Sequence, residues 1–161
     1  MLKKFFSSPS STIFFALYLF LTLVIFAFSL RNGTESSNDS SFVWAVLSSV
    51  FNVEGNYEFL IRKLIGHFLM FLLLAILGSI VYYRIVIISP FKRKRLFFAL
   101  LTLTAGLLTA IISELLQLNF FTIGRNASIT DVLIDFSGFL LGFLLFLFFK
   151  PFFTKTKLPV V

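Results

Sequence analysis

The chain's single histidine, His67, follows Lys63 in one apolar stretch, and Glu114, Gln117, Arg125, Asp131 and Asp135 appear in or beside two later ones. An imidazole with a neighbouring carboxylate can act as a general base on water or a hydroxyl, with His67 or Glu114 as the candidate. Arg125 can then stabilise developing phosphate charge. The same residues can instead bind. Arg125 and Lys63 suit a phosphate, while Glu114, Gln117, Asp131 and Asp135 orient them and accept hydrogen bonds from sugar or peptide groups. A third use is structural, a polar staple between helices. There is no cysteine and no glycine-rich phosphate loop. One histidine with scattered carboxylates is poor for zinc and conceivable only for Mg²⁺ or Ca²⁺, so neither a metal nor a cofactor is expected.

Spacing groups these residues. Glu114 and Gln117 share a helical face at i,i+3. Asp131, Asp135, Gly138 and Gly142 lie within about 40–60° of one stripe at the 3.6-residue period. Gly106, Ala110, Ser113 and Gln117 repeat that spacing in the preceding stretch. Small-residue stripes let helix backbones approach closely, which predicts a tight seam between the third and fourth spans, capped by polar groups. Plainer roles compete: Asp131 as an N-terminal helix cap, His67 as a hydrogen-bonded core residue, Arg62 and Lys63 as interfacial anchors. Glu114 and Asp135 fit these roles least, because a carboxylate a turn inside lipid needs a partner.

The elements that carry these residues are membrane spans. Of the 161 residues 58% are hydrophobic and only 13% charged, and mean hydropathy is +1.00. A soluble domain carries about a quarter charged residues. A soluble enzyme, a disordered tail and a disulfide-stapled domain are excluded. A stretch of roughly 20 apolar residues crosses a bilayer core of ~30 Å. Four stretches qualify: Ser11–Leu30, Leu64–Ile88, Leu96–Leu118 and Asp131–Phe149. The reading is an all-α integral membrane protein, a four-transmembrane-helix bundle with a short interfacial helix in its first outer loop. That loop opens with a polar Ser/Asn-rich linker from Asn32 to Ser41, with little reason to fold alone, and turns apolar from Phe42 to Val53 around Trp44. Most of the 25 phenylalanines are expected on lipid-facing surface.

Charge sets orientation. Ten of the 14 Lys and Arg, and none of the seven acids, fall on the side that holds both termini. Positive charge accumulates inside, so both termini are expected in the cytoplasm. The run Lys92–Arg95 reads as a contact for anionic lipid, and a nucleic-acid partner is not expected. The first span, with Lys3 and Lys4 before it, resembles a signal peptide but is long enough to be an uncleaved anchor.

The residues Ser113-Glu114-Leu115-Leu116-Gln117, Gly124-Arg125, Ser128-Ile129-Thr130-Asp131 and Asp135-Phe136-Ser137-Gly138, followed by Gly142, resemble the signature of the VanZ-like family. Arg62-Lys63-Leu64-Ile65-Gly66-His67-Phe68 resembles its Lys/His motif. The resemblance covers about residues 61–148 and places Lys63, His67, Glu114, Gln117, Arg125, Asp131 and Asp135 at signature positions. Lys63 stands one residue further from His67 than in the family pattern. Met70 and Ser113 replace acids, and the segment between Gln117 and Arg125 is about two residues longer. The implied organisation is one membrane domain: residues 1–62 hold the first span and a variable outer loop, 63–149 the VanZ-like region, and 150–161 a basic cytoplasmic tail. The resemblance implies a multi-pass protein of the bacterial plasma membrane and a link to teicoplanin-type glycopeptide susceptibility. Its expected partners are the bilayer and a lipid or lipid-linked envelope component, with oligomeric state unassigned. The alternative is an intramembrane enzyme on such a lipid. Four short spans without broken central helices argue against a transporter.

Overall fold

The computed structural model describes residues 5–51, 62–87, 94–118, 121–124 and 126–154. The elements among them are α1 (Pro9–Ser29), α2 (Gly33–Phe51), a π-helical segment (Arg62–Leu69) that runs into α3 (Met70–Ile87), α4 (Lys94–Leu115) and α5 (Ile129–Thr154). Among the described residues four helices are long and apolar enough to cross a membrane, over Pro9–Ser29, Lys63–Ile87, Lys94–Leu115 and Ile129–Lys150. Each begins and ends within three residues of its expected position. Backbone amides in lipid can be satisfied only within such helices, so apolar length alone dictates these elements. Pro9 opens α1, where a missing N–H costs nothing.

α3 occupies the centre and packs against α1, α4 and, most extensively, α5. A Cβ on Gly138 would overlap the carbonyl oxygen of Phe68, and one on Gly142 that of Leu72. The tight backbone seam therefore joins α5 to the second span, not to the third as expected. Gly106 on α4 explains why: its notch is filled by the Phe139 ring of α5, so a side chain separates those two helices. Phenylalanine serves both surfaces and core. Phe20 and Phe148 are exposed, but Phe71, Phe139 and Phe146 are among the largest fully buried side chains. The Gly106 notch leaves a ring-sized space, and Phe139 fills it.

Away from the polar cluster, α1 is tied to α3 by the Tyr18–Tyr82 hydroxyl pair at 3.0 Å and by Arg84, whose guanidinium donates to Ser10 and Ser11 and lies over the Phe14 ring.

The polar linker is helical. α2 is one helix from Gly33, absorbing both the Ser/Asn-rich stretch and the apolar part to Phe51; Val53 lies outside the described residues. Local hydrogen bonding explains the difference. The Asn32 N–H donates to Glu35 Oε2 at 3.2 Å, the backbone half of a capping box. Arg31 pairs with Asp39 at 2.8 Å, and the Ser40 and Ser41 hydroxyls donate to carbonyls one turn back. Tertiary contact adds to this: the Gly33 N–H donates to Ile123 O, and the Ile123 N–H donates to Asn32 Oδ1. A Cβ on Gly33 would strike the Gly124 carbonyl, and Gly124 itself holds φ +73°, a left-handed value that glycine adopts freely. Phe42, Val46 and Val50 form an exposed apolar stripe on α2, the face an interfacial helix turns to acyl chains.

Candidate functional site: a polar cluster beneath an apolar cavity

Two helical ladders build the cluster. Lys63 and His67 lie four residues apart on the π-helical segment, and Asp131 and Asp135 four apart on the first turns of α5. The second and fourth spans run in the same direction, so the rungs pair in register. Lys63 Nζ forms an ion pair with Asp131 Oδ1, and His67 Nδ1 lies 2.9 Å from Asp135 Oδ1. His67 Nε2 faces Asp131 Oδ2 across 3.9 Å, beyond hydrogen-bond reach. The imidazole is thus held between two aspartates. Asp131 is within α5 rather than capping it, since its N–H donates to Ser128 O. π-helical turns are uncommon and recur at functional sites, and this one carries the only histidine.

α4 supplies the third side. Ser113 Oγ lies 3.3 Å from Asp135 Oδ2 and 2.8 Å from the Ala110 carbonyl. Gln117 Nε2 donates to Glu114 Oε1 at 2.7 Å, and the Ser128 N–H donates to Glu114 Oε2 at 2.9 Å. Both Glu114 oxygens therefore accept, one from a side chain and one from the backbone that leads into α5. Asp135 is fully buried, while Glu114 and Gln117 are each 3% exposed and His67 7%. Polar groups so deeply placed require partners, and these have them.

Six of the seven residues singled out in the sequence converge here: Lys63, His67, Glu114, Gln117, Asp131 and Asp135. Arg125 lies outside the described residues. The carboxylates that look scattered along the chain are gathered in space, and one donor atom from each of His67, Glu114 and Asp135 lies within 4.8 Å of the other two. Thr122, buried with its hydroxyl on the Gln117 carbonyl, escaped notice because nothing in its spacing sets it apart from ordinary loop residues.

Above the cluster lies a cavity of about 320 Å³. His67, Ser113, Gln117 and Asp135 contribute its polar lining, and Ile25, Phe28, Val43, Ile65, Met70 and Phe71 its apolar one. Ser36, Asp39 and Ser40 of α2 and Arg31 also line it. The cavity therefore needs α1 and α2, which belong to the region expected to be variable. No local pattern in either helix indicates that it faces His67.

A family model described as VanZ/LLP1 matches residues 14–150, which includes α1 and α2 as well as the last three spans. Neither curated proteins nor solved structures returned a match.

Proposed function

Since the chain belongs to the VanZ/LLP1 family, we propose that it binds the headgroup of a lipid or lipid-linked cell-envelope component at the outer face of a bacterial plasma membrane. The cavity carries this reading: apolar walls suited to a hydrocarbon chain meet a polar end formed by His67, Gln117 and Asp135. Hydroxyl, amine or amide groups of a sugar or peptide head would donate to the carboxylates, and Lys63 with Arg125 would attract phosphate. The excess of Lys and Arg on the side of both termini supports a cytoplasmic location for them, which sets the cavity at the outer leaflet. Sequestering or presenting an envelope component there alters what a lipophilic glycopeptide such as teicoplanin meets.

The test compares co-purifying lipids, by mass spectrometry, for the wild type, Gln117→Ala and the cavity-filling Ser36→Phe. Wild type should retain a lipid class that both variants lose by about tenfold or more, equivalent to ~1.4 kcal/mol. Cells expressing either variant should also lose any teicoplanin tolerance conferred by the wild type. Identical lipid profiles for all three proteins would sink the reading.

One observation favours a second reading, an intramembrane enzyme. Asp135 engages His67 Nδ1 and, among the described residues, leaves Nε2 without a hydrogen-bond partner, the arrangement of an oriented general base. Glu114 is less suited, with both oxygens already accepting. Purified protein that leaves lipid-linked substrates unchanged, with and without divalent metal, argues decisively for binding alone.

A further inference from the structure

We infer that His67, Glu114 and Asp135 form a divalent-cation site at the base of the cavity, an inference that rests on the cluster being a binding site rather than a helix staple. The three side chains come from three separate elements, all are buried, and one donor atom of each lies within 4.8 Å of the others. Donors held about 2.0–2.6 Å from a shared ion stand roughly 3–5 Å apart, so the set needs only small adjustment to close on one. His67 Nδ1 and Asp135 Oδ1, at 2.9 Å, have the separation of neighbouring ligands at about 2.1 Å from one ion.

The surroundings fit as well as the donors. With Nδ1 on the ion, Nε2–H points toward Asp131 Oδ2 at 3.9 Å, and Asp131 is held by Lys63. A ligating histidine whose other nitrogen faces a carboxylate is the recurring outer-shell arrangement of metal sites. Asp135 adds the energetic argument. It is fully buried, its described partners are the imidazole and the Ser113 hydroxyl, and a carboxylate at that depth is costly without a cation. With the carboxylates gathered around it, one imidazole nitrogen favours Mn²⁺ over the all-oxygen preferences of Mg²⁺ and Ca²⁺, while a single histidine remains poor for zinc. Gln117 and the cavity would leave room for a further oxygen ligand, such as a phosphate oxygen of the bound head.

The single histidine makes the test unambiguous. Untagged protein in detergent is stripped with chelator, titrated with Mn²⁺ alone, and examined by pulsed electron paramagnetic resonance. One Mn²⁺ per chain with coupling to an imidazole nitrogen is expected, and that coupling can come only from His67. His67→Gln should abolish the coupling and weaken binding by about tenfold or more, while Ser37→Ala, exposed on α2 and outside the cavity lining, should bind Mn²⁺ as wild type does. No Mn²⁺ above buffer level, or Mn²⁺ bound without nitrogen coupling, overturns the site, and this wild-type measurement stands even where a variant fails to fold. Lipid retained by protein that binds no Mn²⁺ overturns the cation site and leaves the lipid reading intact. Mn²⁺ bound with nitrogen coupling by protein that retains no lipid does the reverse.

Discussion

Asp135 is the residue on which the cluster's polar balance turns. It is fully buried, it accepts from His67, and Ser113 lies within reach of its other oxygen. Removing it takes the hydrogen-bond partner from the Nδ1 of a buried imidazole. Asp135→Ala should therefore destabilise the detergent-solubilised protein by about 1–3 kcal/mol in denaturant unfolding, the cost of an unsatisfied buried donor. Ser113→Ala should cost less, because its hydroxyl also lies on the Ala110 carbonyl and the imidazole remains paired. An equal effect of both substitutions would show that His67 does not depend on Asp135. The pairing Lys63–Asp131 was unforeseen, since each residue alone has a plain role at a helix end. Only the parallel register of two spans turns an anchor and a cap into an ion pair.

At the scale of elements, the α3–α5 seam decides where the cluster sits. Gly138 and Gly142 bring α5 against the backbone at Phe68 and Leu72, about one and two turns beyond the rung that joins His67 to Asp135. Gly138→Ala and Gly142→Ala each place a methyl group where a carbonyl oxygen already stands, and backbone yields less than a side chain. Each should cost about 1–3 kcal/mol by thermal or denaturant unfolding, as overpacking does. Gly138→Ala, nearer the cluster, should also weaken lipid retention. Wild-type stability for both would refute the close approach. The glycine stripe was legible in the sequence, but its partner was not. A one-dimensional pattern says that a face is small and leaves open which neighbouring helix uses it.

At the scale of the whole molecule, orientation is the property most open to direct measurement. The chain has no cysteine, so a single introduced thiol reports its own side of the membrane. Ser37→Cys on the exposed face of α2 should react with an impermeant maleimide in intact cells, and Arg95→Cys at the start of α4 only after permeabilisation. The opposite pattern would place both termini outside and move the cavity to the inner leaflet. α1 and α2 matter at this scale too: they line the cavity together with the later spans, and the family match extends across them.

Composition and periodicity alone determined that the chain is helical, that it has four spans with these ends, and which polar residues stand out within them. The physical reason is that lipid forbids unpaired backbone and makes every buried charge conspicuous, so both signals survive in one dimension. The tertiary structure decided the rest: which helix the glycines of α5 touch, how His67 comes to stand between Asp131 and Asp135, and that α1 and α2 enclose a cavity above them. Those outcomes depend on how far apart and in what register helices pack, and Phe139 in the Gly106 notch, not any local pattern, sets the spacing between α4 and α5.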